Sequence, residues 1–329
     1  MAVDDPGDRA GLRSLRESRG RDLDTVEEYA DLAGDLRDAV AGDVRFDEYA
    51  QVLYATDGSI YGARPAGVVI PQSVEDVQAT VRIAAEHDTP VLPRGAGSSL
   101  AGQAVGPGCV VLDFSTYMDS IVDVDPDDGR ATVQHGVVQD DLDDALEADG
   151  LQFAPDPASS NRATIGGGIG NNSTGAHSVR YGITDAYTEE LDVVLADGSL
   201  IHTREVVLDS PEWEALVGKD DLEARIYETV RAVFEEHEEE IAARYPDLKR
   251  CVSGYNLDRV VYENGDGDRC LNLSKLLVGA EGTLGVVVKA TLDLVSRPAE
   301  TALVLYCFAD LLDALRAVPR ALEHEVSAV

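Results

Sequence analysis

The chain has 329 residues, too many for one compact core, and its 44% hydrophobic and 27% charged residues make a globular rather than a disordered balance. Acids outnumber bases 62 to 27, a formal net charge of −35. A surface of that sign repels nucleic acid and anionic membranes, and no apolar run approaches the ~20 residues that a bilayer crossing takes. The acid is spread along the whole chain, and only four of the cations are lysines (Lys219, Lys249, Lys275, Lys289). That pattern suits a salt-rich cytoplasm, where screening relieves self-repulsion. The opening MAVDDPGDRAGLRSLRESRG has no apolar segment of signal-peptide type, so a cytoplasmic location is expected. Cys109, Cys251, Cys270 and Cys307 form no CxxC pair, and the six histidines show no HxxxH or HxH spacing, so no metal site is expected. Cys109 and Cys307 lie in the apolar runs CVVLDF and LVLYCF and read as buried thiols.

In chain order, residues 1–50 read as a helical preamble, with apolar spacing at Val26, Tyr29, Leu32, Ala33 and Leu36. GVVI (67–70) is a short strand stopped by Pro71. Ser73 and Asp76 then stand at capping-box spacing and open a helix to about His87. PVLP (90–93), CVVLDF (109–114), SIVDVD (120–125) and RATVQHG (130–136) are strands, the last two joined by the turn DPDDG. The segment 137–150 is a helix ending near Gly150, and a Gly- and Asn-rich stretch follows over 154–182. Residues 191–203 form a hairpin turning at Asp197-Gly198. Residues 211–245 are an acidic helical insertion with Leu222, Ile226, Val230, Val233 and Phe234 on one face. The last 32 residues read as a strand (TALVLYCF), a helix (309–324) and a strand begun at Val326 without a partner. This unit is expected to be completed by further chain or by another polypeptide.

Three segments place small residues where a backbone must approach a ligand: 94–102 (RGAGSSLAG), 164–175 (TIGGGIGNNSTG) and 279–285 (GAEGTLG). Glycines permit positive φ and let successive N–H groups converge on an anion. Each loop alone is also compatible with a plain turn. The first is not a GxGxxG fingerprint, because Leu100 takes the last glycine position, and no GxxxxGK[ST] occurs.

PVLPRGAGSSLAGQ (90–103), PDPASSNRATIGGGIGNNSTG (155–175), GYNL (254–257) and LLVGAEGTLGVV (276–287) closely resemble, in this order, the FAD-linked oxidases of the vanillyl-alcohol oxidase and p-cresol methylhydroxylase type. Within that family the chain is most similar to the D-lactate, D-2-hydroxyglutarate and glycolate-oxidase-like group, and to its large members fused to an iron–sulfur domain. The resemblance covers about residues 45–300. It implies an α+β fold: an FAD-binding domain of two subdomains over 46–297, with the insertion 211–245. A helical extension (1–45) would precede it, and a truncated α/β cap (298–329) would follow.

By the same resemblance, Arg94, Gly95, Ala96, Gly97, Ser98 and Ser99, with Gly102, would cradle the FAD pyrophosphate. Pro155, Ser159, Thr164, Gly166 and Gly167 would line the ribityl and pyrophosphate, and Asn172, Ser173 and Gly175 would lie near the isoalloxazine. Gly182 would allow close backbone passage, and Glu281, Gly282 and Val286 would meet the adenosine end. Ser98 stands where some relatives carry the histidine that bonds FAD covalently, so noncovalent FAD is expected. The implied activity is dehydrogenation of a D-2-hydroxy acid such as D-lactate, glycolate or D-2-hydroxyglutarate. Electrons would pass to a quinone or an iron–sulfur partner, which also leaves open a peripheral association with the inner face of the membrane. The alternatives are a non-catalytic flavin-carrying subunit and an oxidase of sugar or alditol substrates. No residue is singled out as the catalytic base. His177 is a base or a neutral imidazole held by loop backbone, and Tyr255 meets the flavin or packs in the core. Arg162 and Arg180 hold an anion or pair with local acids.

Overall fold

The structure is a computed structural model that describes residues 25–248, 250–252, 254–324 and 326–329. The first part of the preamble, including the opening residues read for a leader, lies outside the described residues. Where description begins, Leu32, Ala33 and Leu36 on the helix Ala30–Ala39 are buried, as their spacing requires. The strands β1 (Asp43–Arg45), β2 (Gly67–Ile70), β3 (Val91–Arg94) and β4 (Val110–Asp113) form one sheet in the order β1-β2-β4-β3. β2, β4 and β3 are parallel, with Val111 level with both Val68 and Leu92, and β1 runs antiparallel at the edge. The helix Val74–Glu86 makes the crossover between β2 and β3, and the Ser73 side chain caps it by accepting from the Asp76 amide at 3.3 Å. Residues 43–45, placed by sequence in the N-terminal extension, are thus an edge strand of the following unit.

β5 (Ile121–Asp125), β6 (Arg130–Gln134), β7 (Leu151–Gln152), β8 (Thr188–Val194) and β9 (Leu200–Thr203) come next, then β10 (Glu205–Val207), β11 (Val261–Glu263), β12 (Arg269–Asn272), β13 (Val286–Asp293) and β14 (Val295–Ser296). A five-stranded antiparallel sheet has the order β5-β6-β13-β8-β9; β10-β12-β11 and β14-β7 make smaller ones. β13 therefore returns from far along the chain to the centre of the second sheet. Val194, Val286 and Val288 of that sheet pack with Phe114, Met118 and Val110 of the first layer, which joins the two sheets along a seam. Leu142, Leu146, Ile165 and Ile169 cover the second sheet's other apolar side chains.

The insertion is helical over Pro211–Val217 and Leu222–Arg244, as expected. Its buried face differs: Ala224, Tyr227, Phe234 and Ile241 point inward, whereas Val233 is exposed. Trp213 sets that rotation, meeting the Tyr227 ring edge-on at 6.1 Å in a core of its own. Residues 301–308 are exposed and form no strand, and the helix Leu311–Leu322 buries none of its residues. Cys307 is consequently exposed, against expectation, because nothing among the described residues covers its segment; Cys109 is buried, and burial pushes its thiol up to about 11. Residues 326–329 form no strand.

Candidate cofactor site

A solvent-open cleft of about 220 Å³ lies along the seam. Loop 95–99 leaves the end of β3 and forms one wall. The backbone amides of Ala96, Gly97, Ser98 and Ser99 donate to no protein acceptor among the described residues, so a row of N–H groups is left for an anion. Arg94 supports this loop from behind. Its guanidinium donates to the carbonyls of Thr56 (3.0 Å) and Ala104 (2.8 Å) and lies 5.3 Å from the centre of the Tyr54 ring. A Cβ at Gly97, whose φ is +65°, would come within 2.4 Å of that guanidinium. Arg94 touches the cleft, yet its donors are committed to holding the loop's shape.

The second wall is the helix Ile165–Asn171. Thr164 caps it by accepting from the Gly167 amide at 3.2 Å, and a Cβ on Gly95 would sit 2.0 Å from the Thr164 Oγ1. Asn171 Nδ2 donates to Ser99 Oγ at 3.1 Å, tying this helix to the first loop. The third loop is tied to the same helix by Gly279 N–H to the Ile169 carbonyl (2.9 Å) and Glu281 N–H to the Gly170 carbonyl (3.0 Å). Gly282 packs on Pro93, where a Cβ would approach to 2.4 Å. Three segments far apart in sequence are therefore mutually locked around one space.

Of the residues expected at the cofactor, Arg94, Gly95, Ala96, Gly97, Ser98, Ser99, Ser159, Thr164, Gly166, Gly167, Ser173, Glu281 and Gly282 line this cleft. Gly102, Pro155, Asn172, Gly175, Gly182 and Val286 do not. Gly102 lies against Tyr61, and the Pro155 carbonyl accepts from the Gln139 amide inside the fold. Asn172 is buried behind the wall in a left-handed conformation, where its Oδ1 accepts from the Asp185 amide at 3.0 Å and its Nδ2 has no partner. Gly175 presses on the Asp156 backbone, and Val286 is core. Gly182 has open space where close passage was expected, and its φ of +79° is what calls for glycine there. Tyr255 is exposed, with its hydroxyl 2.9 Å from Thr283 Oγ1, and is neither core nor cleft wall. Nδ1 of His177 is held by the Asp156 carboxylate rather than by loop backbone.

Sequence reasoning missed His135, which lines the cleft at the end of β6. Its ring stacks on Phe114 at 4.2 Å on one side, and a Cβ on Gly166 would come within 2.2 Å of ring atoms. Nδ1 faces the Val287 carbonyl at 2.8 Å and so carries the proton, which leaves Nε2 as a buried lone pair without a partner. Burial lowers its pKa to about 4, so the ring is neutral at ordinary pH. The signal was a histidine closing a strand just before Gly136, in a run read only as a strand. Free amides, a glycine cradle and an unpartnered buried nitrogen fit a phosphate-bearing cofactor such as FAD; their donors and acceptors would otherwise face an empty cleft.

Comparison with known proteins agrees. Residues 65–204 match the family described as FAD binding domain. The chain is 33% identical over 287 residues to D-2-hydroxyglutarate dehydrogenase of Pseudomonas putida (strain KT2440), covering 86% of this chain and 28% of that protein. It is 32% identical over 273 residues to glycolate oxidase subunit GlcD of Bacillus subtilis (81% of this chain, 46% of that one) and 28% identical over 282 residues to D-lactate dehydrogenase of Anaerostipes hadrus (85% and 47%). The chain thus spans between about a quarter and a half of the length of these relatives. Among solved structures, alkyldihydroxyacetonephosphate synthase shares the fold with a TM-score of 0.57 at 19% identity, over 84% of this chain and 46% of that one. Residues 65–204 are therefore an FAD binding domain.

Proposed function

We propose that this chain is the flavin-carrying part of a D-2-hydroxy-acid dehydrogenase acting on D-lactate, glycolate or D-2-hydroxyglutarate. The observation that carries this reading is the cleft of free amides and close-packed glycines inside an FAD binding domain whose relatives are 2-hydroxy-acid dehydrogenases. Bound FAD supplies a hydride acceptor. The chain's own contribution is to hold the phosphates on the amides of 96–99, to place Thr164, Gly166 and Gly167 along the opposite wall, and to keep bulky side chains out of the space between. Ser98 faces the cleft and its hydroxyl forms no histidyl-type bond, so FAD is held noncovalently. The flavin domain would run from the edge strand that begins at residue 43 to residue 297, after an N-terminal extension and before a cap that 298–329 begin. Electrons would leave to a quinone or an iron–sulfur partner, in a salt-rich cytoplasm or at the inner face of its membrane. A second reading, a flavin-carrying subunit that works only within a complex, is favoured by the similarity to a named subunit of glycolate oxidase.

The test is an absorbance spectrum of protein purified in molar salt. Bands near ~370 and ~450 nm, with the colour released to the supernatant on heating, are expected for noncovalent oxidised flavin. A colourless protein that takes up no added FAD would overturn the reading, and colour kept in an acid-precipitated pellet would overturn the noncovalent part. A screen of D-2-hydroxy acids with a dye acceptor then separates the dehydrogenase from the subunit that needs a partner.

A further inference from the structure

We propose that Nε2 of His135 accepts a hydrogen bond from a sugar hydroxyl of the bound cofactor, so that separate groups of the cleft hold FAD at its phosphates and at its sugar. The proposal rests on FAD occupying this cleft, and it assigns a cofactor contact to a side chain outside every glycine-rich loop.

The ring is fixed from several sides. The His135 amide donates to the Val288 carbonyl at 3.1 Å, and its carbonyl accepts from the Gly166 amide at 2.9 Å. Phe114 stacks on one face of the ring, Gly166 closes the other, and Nδ1 faces the Val287 carbonyl. Nδ1 must carry the proton to meet a carbonyl, and burial keeps the ring neutral, so Nε2 is a lone pair held in one direction. The residue is only 5% exposed, and Nε2 finds no partner among the described residues, yet His135 is part of the cleft wall. A phenyl ring would fill the same slot without leaving a buried acceptor unsatisfied. The desolvation of that nitrogen is offset only when a donor arrives.

The rest of the cleft identifies the donor. The amides of 96–99 point the opposite polarity at the same space. Thr164, the other buried polar side chain of the wall, already accepts from the Gly167 amide. The phosphates of FAD are ionised and carry no proton, so against Nε2 they would set lone pair to lone pair. They belong on the amides, and the nitrogen takes an O–H or an N–H. The O–H groups of FAD are the hydroxyls of its ribityl chain and its ribose, whereas its N–H groups lie on the edges of two flat ring systems. Nε2 is almost wholly covered, between the Phe114 ring and the Gly166 backbone. One hydroxyl on a narrow chain reaches such a nitrogen where the edge of a fused ring would meet the walls.

The experiment records histidine ring 15N spectra of the chain without and with FAD, using His135→Phe to assign the signal. The Nε2 resonance of His135 should move on FAD binding while its Nδ1–H is kept. The shift should persist with 3-methyl-FAD and with an FAD analogue whose adenine is replaced by unsubstituted purine, since neither change touches a hydroxyl. An analogue whose ribose lacks both hydroxyls then separates the sources: the shift survives if the ribityl chain donates and disappears if the ribose does. His135→Phe should weaken FAD binding by about tenfold, the worth of one hydrogen bond. Loss of the shift with the methylated flavin or the purine analogue would assign the donor to a ring N–H and overturn the proposal. An unmoved Nε2 resonance in FAD-loaded protein, or a folded His135→Phe that binds FAD like wild type, would overturn it too while leaving FAD binding intact. Failure of the wild type to take up FAD would overturn the functional reading itself.

Discussion

Gly166 is the point where the second wall meets the His135 ring. Its Cβ-less face leaves room for an imidazole that is clamped against Phe114 and anchored to the Val287 carbonyl. Gly166→Ala drives a methyl group into that ring, at a cost of about 1–3 kcal/mol in overpacking. The cost should appear as a lower Tm and FAD affinity weakened by about tenfold or more, whereas Gly265→Ala, with nothing within 4 Å, should leave FAD affinity at the wild-type value. His135 also makes a pH prediction. Its folded pKa of about 4 lies below the ordinary value of 6.5, so between those limits the unfolded chain binds the extra proton. Stability is then lost as pH falls from 6.5 towards 4, with a slope of up to about 1.4 kcal/mol per unit. Asp143 works in the opposite sense: burial raises its pKa to about 6, so the folded state binds the extra proton between 3.8 and 6. The contribution of His135 is therefore read as the difference between wild type and His135→Phe in denaturant titrations at several pH values; parallel curves would show that the ring does not titrate as described.

At the scale of elements, the helix Ala30–Ala39 and the helix Leu311–Leu322 differ in what they touch. The first buries Leu32, Ala33 and Leu36 against the crossover helix and the first sheet. Gly34 lies in its middle, with ordinary helical φ and nothing within 4 Å of an added Cβ, so Gly34→Ala should stabilise the fold by about 0.5–1 kcal/mol in a denaturant titration. The second is amphipathic in sequence but has no buried residue, and Leu303, Leu305 and Tyr306 before it are exposed. Deleting residues 301–329 should leave Tm within a few degrees and FAD affinity unchanged, because no cleft residue comes from that segment. A large loss of FAD binding would show that the segment packs where the structure does not place it.

For the whole molecule, charge is the governing quantity. Ion pairs such as Arg231 with Asp209 and Glu235 lie at the surface, and a net −35 leaves most carboxylates without a cation. Like-charge repulsion is cut as the Debye length falls from about 10 Å at 0.1 M salt to about 3 Å at 1 M. Tm should therefore climb through the molar range of KCl. A flat or falling Tm would mean that the surface pairs outweigh the repulsion.

Strand and helix periodicity determined most of the local structure without help from the fold: GVVI is β2, Ser73 caps its helix, and Asp197-Gly198 turns β8 into β9. The family resemblance carried by four motifs in order also pointed to the cofactor, although each glycine-rich loop alone is compatible with a plain turn. Tertiary structure decided which residues of those motifs face the ligand space. Asn172 and Arg94 sit in the right loops, yet one is buried behind the wall and the other is used up on carbonyls. His135 directly follows a strand with no motif at all and reaches the cleft only because β6 pairs with β13, a strand about 150 residues later. Local sequence carries φ preference and hydrophobic period over a few residues. The direction in which a side chain points into a seam between two sheets depends on contacts made across the whole chain.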